Sequence, residues 1–332
     1  MTYNRQRLDR ERYSVGEQLR APLGAGASRW LASFCLVGSL ACNEQDQSFI
    51  DNGGPPDPAT PDSASPAAQP APPAVSANVE LVNRVLVDGI ENSNPEIVDR
   101  YVRDDFIQHG SLQPDGKGGL LIFASLADKV RSQVHRVISD GNLVAMHVTH
   151  TLPDHTQLVA FDVYRVEGGQ LAEHWDAVQA PAGPSPSGHG MTDGATEVGD
   201  LAATDDNRAL VRDFVNVVLR AGQIDRMGDF LSSDGYAQHD PRIADDISGL
   251  RAFATGLADQ GLGAAITAPH LTIAEGNFVL VASEGTSGPL ADPRYAIFYD
   301  LFRVSAGRIV EHWDVLPPSP NPALLPHPNG YF

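Results

Sequence analysis

From Asn78 onward the apolar residues Val79, Val82, Val85, Leu86 and Ile90, with Leu81 beside them, recur at helical spacing and predict an amphipathic helix. Asn94-Pro95 opens a second, shorter helix through Tyr101, because Pro at the first helical position behind an Asn cap is a start signal. Phe106-Ile107-Gln108-His109 follows, and a further helix is predicted from Gly119 to Lys129. The pattern then changes to strands: Val134 to Ile138, a turn at Asp140-Gly141, Leu143 to His150, and a hairpin over Asp162 to Asp176. From Asn207 the same order returns, with a helix to Ala221, Ile224 to Leu231, Tyr236-Ala237-Gln238-His239, a helix from Gly249 to Asp259, and strands to Leu316. Helices followed by a meander of strands indicate an α+β fold, helices covering one face of an antiparallel sheet.

The chain therefore contains one unit twice. Asp162-Val-Tyr-Arg-Val-Glu-Gly-Gly-Gln-Leu-Ala-Glu-His-Trp-Asp176 and Asp300-Leu-Phe-Arg-Val-Ser-Ala-Gly-Arg-Ile-Val-Glu-His-Trp-Asp314 agree at eight of fifteen positions. Centring the first hairpin's turn on Gly168-Gly169 sets Asp162 opposite Trp175 and Tyr164 opposite Glu173. Alternation then gives one face Asp162, Tyr164, Val166, Leu171, Glu173 and Trp175, and the other Val163, Arg165, Ala172, His174 and Asp176. On this register His174 and His312 face away from Asp162 and Asp300 and take an interface or structural role. Alignment of the copies also pairs Gln108-His109 with Gln238-His239 and His135 with His270, whereas His147 falls opposite Ala282.

Outside the units the pattern is different. Residues 1–41 carry six arginines ahead of an apolar run from Trp30 to Ala41, too short to span a bilayer but of the length of an export signal's apolar region. Ser39-Leu40-Ala41 before Cys42 resembles a bacterial lipoprotein cleavage site, so lipidation at Cys42 and a lipid-anchored address at the bacterial cell envelope are expected, with plain export and then a buried apolar helix as the alternatives. Residues 42–77, rich in Pro, Ala, Asp and Ser, read as a disordered tether. The units occupy 78–180 and 207–317, joined by a linker over 181–206 and followed by a Pro-rich tail over 318–332 that wraps or trails.

Composition narrows the partners. A formal net charge of −19 over 332 residues argues against nucleic acid and against an anionic membrane surface, leaving small molecules or proteins, with membrane contact only through the N-terminal lipid. Cys35 and Cys42 are the only cysteines, so the units hold no disulfide framework. The scattered histidines form no zinc-like ligand set, and no phosphate loop or Gly-x-Ser-x-Gly elbow is present, so no metal and no cofactor are expected.

The Gln-His pair before a helix, His135-Arg-Val-Ile-Ser-Asp-Gly-Asn-Leu-Val144 and the Glu-His-Trp-Asp hairpin together resemble the SnoaL-like polyketide cyclase family, especially its predicted aldol-condensation branch. That resemblance implies two tandem cone-shaped domains of the nuclear transport factor 2 type, each a curved sheet wrapped by helices around one apolar pocket. Because such domains commonly pair through their sheets, it also implies an internal pseudo-dimer. It implies Asp162 and Asp300 as acid/base groups with His109 and His239 as polar partners, in pockets lined by Gln108, Gln238, Tyr164, Phe302, Trp175, Trp313, His135 and His270. Burial would raise the pKa of such an aspartate toward the range where it exchanges protons with an acidic carbon. The expected reaction is cofactor-free proton transfer next to a carbonyl, as in aldol cyclisation or isomerisation. The alternative is an exported lipoprotein that binds an apolar ligand or a protein partner without catalysis, since this fold hosts many binders.

Overall fold

The computed structural model describes residues 76–125, 130–183, 185–318 and 320–332; the expected export signal, Cys42 and nearly all of the tether lie outside them. The first domain opens with α1 (Ala77–Asn83), whose first turn is capped by Ser76 Oγ accepting the Val79 amide, and which runs on through a π-helical stretch, Arg84–Glu91. In α2 (Pro95–Tyr101) the Asn94 side chain accepts the Glu96 amide ahead of the proline start. Then come β1 (Val102–Gln108), α3 (Gly116–Ala124), β2 (Arg131–Asp140), β3 (Leu143–Thr151), β4 (Gln157–Glu167) and β5 (Gln170–Gln179). The second domain repeats this order. It has α4 (Thr204–Phe214) with a π-helical continuation Val215–Arg220, β6 (Ala237–Gln238), α5 (Asp246–Asp259), β7 (Leu262–Glu275), β8 (Phe278–Pro289), β9 (Arg294–Ser305) and β10 (Arg308–Val315).

Each sheet has five strands, in the orders β1-β5-β4-β3-β2 and β6-β10-β9-β8-β7. β1 lies parallel to β5 and β6 parallel to β10; the other pairings are antiparallel. The sequence did not announce β1, because Arg103-Asp104-Asp105 interrupts its apolar pattern and only Val102, Phe106 and Gln108 are buried. The helix expected over Gly119 to Lys129 begins earlier, at Gly116, and α3 ends at Ala124.

Both faces of each sheet are covered. One face of the first sheet, with Val144, Met146, Val148, Ala160 and Tyr164, packs under that domain's helices. The second sheet does the same with Val279, Val281, Phe298, Phe302 and Val304. The opposite faces share one cluster, in which Phe161, Val163 and Trp175 join Ile273, Phe278, Leu280, Leu301 and Trp313. Burying each such side chain contributes roughly 1.5–3 kcal/mol. Two-sided burial is also why β4 and β9 read as near-continuous apolar runs rather than clean alternations.

Linker and tail close the rim of this shared cluster. Met191 is buried in it, and Trp313 Nε1 donates to the Asp193 carbonyl at 2.9 Å. The tail wraps: Tyr331 is buried in the cluster, Phe332 stacks on His270 at 4.3 Å, and His327 Nε2 donates to the Gly110 carbonyl at 2.8 Å.

Candidate functional site

The turn of the first hairpin falls at Gly168-Gly169, both with positive φ, which only a residue without a Cβ adopts freely. Glu167 pairs with Gln170 and Val166 with Leu171, as turn geometry requires. Ala172 is then bulged, so Arg165 pairs with Glu173, Tyr164 with His174 and Asp162 with Asp176. One extra residue reverses every side chain beyond it. The expected face assignment is therefore corrected: His174 and Asp176 lie on the Asp162 face, and Glu173 and Trp175 on the other. The second copy has the same bulge between Ile309 and Glu311, pairing Asp314 with Asp300 and His312 with Phe302.

In the first domain these residues end an apolar cavity of about 140 Å³, walled by Val85, Ile90, Phe106, Leu120, Phe123 and Leu158. Asp162, 4% exposed, lies between two imidazoles: His150 Nε2 is 3.0 Å from Oδ2 and His174 Nε2 is 3.5 Å from Oδ1. Gln108 Oε1 already accepts the Gly110 amide at 2.7 Å, so it is an acceptor for His174 Nδ1–H at 2.8 Å, which orients the ring. Tyr164 stacks on that ring at 4.5 Å.

The electrostatics separate the two carboxyls. Burial alone would push Asp162 up, but the charge and hydrogen bond of His150, helped by His174, outweigh it and hold Asp162 below the usual carboxylate range. The expectation of a raised Asp162 is thereby corrected. Asp176 is the raised one, through burial and the neighbouring Asp162, opposed by His174 and by the Ser111 amide. His150 is raised because Asp162 outweighs its own burial. Burial, with Asp162 and Asp176, keeps the Tyr164 phenol protonated far above its ordinary range.

The second pocket, about 480 Å³, is not a copy of the first. Gln238 Oε1 again holds His312 Nδ1 at 3.0 Å, and His312 Nε2 bonds Asp300 Oδ1 at 3.0 Å. The position of His150, however, is occupied by Gly285, where an added Cβ would lie 2.0 Å from the Ala265 carbonyl oxygen. Asp240 and Arg242 stand where the first domain has Gly110 and Leu112, and Phe302 replaces Tyr164.

Of the residues predicted from sequence, Asp162, Gln108 and Tyr164 line the first pocket, and Asp300 and Phe302 the second. Gln238 is buried behind His312. His109 and His239 lie on the opposite sheet face, stacked on Trp175 and Trp313 at 5.2 and 4.7 Å. Each bonds a glutamate, His109 to Glu173 at 2.9 Å and His239 to Glu311 at 3.0 Å. These histidines and both tryptophans are thus corrected from pocket to the shared cluster and its rim, the consequence of the bulge and of one residue's step along an extended strand. His135 bonds Thr149 and His270 stacks on Phe332, so neither lines a pocket. Sequence reasoning missed His150, Asp176 with its match Asp314, and the pair Asp240 and Arg242; the Asp176 and Asp314 identity was the only signal. For a cation, Asp162, His174 and Asp176 offer ligand atoms within 4.8 Å of one another.

The fold defines a class, a tandem pair of α+β domains of the nuclear transport factor 2 type, each with a pocket between helices and sheet. The SnoaL-like domain model matches residues 83–174 and 211–312, more than half of the chain, and the chain belongs to that family. Among curated proteins none matches. Among solved structures, an epoxide hydrolase of the LEH-like type from M. tuberculosis is 17% identical, covering 32% of this chain and 86% of its own with a TM-score of 0.29. A provisionally assigned polyketide cyclase from Bacillus cereus is 18% identical, covering 34% and 89% with a TM-score of 0.27. An NTF2-like protein of unknown function from Cytophaga hutchinsonii is 16% identical, covering 31% and 89% with a TM-score of 0.28.

Proposed function

We propose that the first domain catalyses cofactor-free proton transfer at a carbon next to a carbonyl, as in an aldol cyclisation or an isomerisation. The observation that carries this reading is the opposed pair Asp162 and Asp176 beside Tyr164 at the end of an apolar cavity. Such a reaction needs a base near the carbon and a donor near the oxygen that becomes negative. Asp176 suits the base, because its raised carboxyl is the stronger proton acceptor of the two. Tyr164 suits the donor, because it keeps its proton. Asp162 acts through others: it holds His150 and His174 in place and favours the charged form of His150. Phe302 lacks the phenol, so the second domain is not assigned this reaction.

The test is deuteration of β-dicarbonyl compounds in heavy water, followed by NMR on the full chain. Exchange above buffer should fall about 100-fold or more in Asp176→Asn, the scale of general acid–base catalysis, and less in Tyr164→Phe. Asp300→Asn should leave it unchanged. Exchange that survives both Asp176→Asn and Asp162→Asn would refute the assignment. Two further parts of the reading concern the whole chain. An internal pseudo-dimer is supported by the cluster shared between the two sheets. An exported, lipid-anchored address is supported by the apolar run before Cys42, and mass spectrometry of the mature N-terminus tests it.

A further inference from the structure

We propose that the second domain's pocket binds an organic ammonium ion, an amine carried on an apolar body. The inference stands apart from the reaction proposed for the first domain and rests on which acceptors are left unmatched. Asp300 and Asp314 are opposite each other on adjacent strands, 6% and 5% exposed, and both line the cavity. Asp300 Oδ1 is taken by His312, but Asp300 Oδ2 and Asp314 Oδ1 have no hydrogen-bond partner among the described residues. Directly opposed carboxylates disfavour each other, and buried acceptors without donors are costly.

The obvious internal cation does not resolve this. The Arg242 fork is spent on Asp240, with Nε 2.9 Å from Oδ1 and a terminal nitrogen 2.5 Å from Oδ2. Its approach to Asp314 is 4.0 Å, too long for a hydrogen bond. In the first domain, by contrast, His150 and His174 flank both oxygens of Asp162. Gly285 cannot supply that second imidazole, so the second pocket keeps two buried acceptors without a hydrogen-bond partner among the described residues. Burial, with Asp240 and Asp300 beside it, drives Asp314 well above the usual carboxylate range, and Arg242, engaged with Asp240, only partly opposes this.

A ligand that fits must bring N–H or O–H donors, and a positive head gains most, because hydrogen bonds to ionised groups are the stronger kind. A carboxylate or phosphate head would meet three aspartates and is disfavoured. The rest of the cavity, about 480 Å³ with Phe214, Leu250, Phe253, Leu257 and Phe298 in its wall, suits an apolar body of several carbons.

The test compares three probes that differ only in the head group, octylamine, octan-1-ol and octanoate, by titration calorimetry on the full chain at neutral pH. Octylamine should bind about tenfold or more tightly than octanol, the factor one charge-assisted hydrogen bond supplies, and octanoate more weakly than either. Asp300→Asn and Asp314→Asn should each remove most of the amine's advantage while octanol binds as before, which also reports that the pocket remains folded. Asp162→Asn, in the other pocket, should leave the amine's affinity unchanged. Equal binding of amine and alcohol, or loss of the amine's advantage through Asp162→Asn alone, would overturn the proposal. The head-group comparison needs no variant, so a misfolded mutant would not shield it.

Discussion

Arg136 is the most exacting test of how the two sheets are held together. It is 3% exposed, and its guanidinium lies 4.1 Å over the Trp313 ring of the other domain. It donates to the carbonyls of Ala195 at 2.6 Å and Thr192 at 3.2 Å, to that of Asp193, and to His147 Nδ1 at 3.1 Å. Burial pushes it down to about 10, with Glu311 and Asp193 opposing, so it is charged at neutral pH. The matching position in the second domain is Leu271, so Arg136→Leu puts an accepted shape on an equivalent strand. The lost interactions with a charged donor are each worth about 1.5–3 kcal/mol, and the ring contact about 1–2 kcal/mol. Burying leucine returns about 2 kcal/mol, and the desolvation cost of the cation, several kcal/mol, disappears. The net expectation is a loss of about 2–4 kcal/mol, or a fall of roughly 5–15 °C in Tm. Urea unfolding followed by tryptophan fluorescence reads it directly. Arg136→Lys should fall between, since it keeps the charge but not the planar fork. A loss below about 1 kcal/mol, or a gain, would mean that desolvation dominates at this site and that the three carbonyl contacts do not hold the linker.

Other outcomes follow from the same geometry. The stability difference between the unaltered chain and Asp162→Asn should be widest between about pH 4 and pH 6.5. The depressed Asp162 stabilises above its unfolded pKa and loses this as pH falls, while the raised His150 stabilises below its unfolded pKa and loses this as pH rises; a gap that keeps widening to pH 9 in urea titrations would contradict the pairing. Deleting residues 320–332 removes buried Tyr331 and the Gly330 carbonyl bonded to His109, and should cost about 3 kcal/mol by thermal unfolding. An unchanged Tm would mean that the tail does not support the fold. Gly285→Ala forces a methyl against the Ala265 carbonyl and should destabilise by about 1–3 kcal/mol, checked by the urea midpoint.

Much of this protein was legible before any coordinates. Helical spacing from Val79 to Ile90, the Asn-Pro start at Asn94 and the glycine turn at Gly168 are local signals, because capping and positive φ are decided within a few residues. The duplication and its family motif were equally plain, since a repeated hairpin preserves its own side-chain order. Counting alternate residues from the turn gave the pairing up to Val166 and Leu171 and no further. The bulge at Ala172 depends on how β5 accommodates β4 and the parallel strand β1, and nothing at Ala172 itself marks it. That single residue decided which carboxyl and which histidine face the pocket. His150 had no partner in the other copy to flag it, and only the sheet sets it against Asp162. Sequence by itself therefore determined most of the elements, though not β1, together with the repeat and the family, all of which rest on local periodicity and on the order shared by the chain's two halves. Tertiary structure alone decided the register, the charge state of each carboxyl and the difference between the pockets, because these arise from contacts between strands that the linear order does not contain.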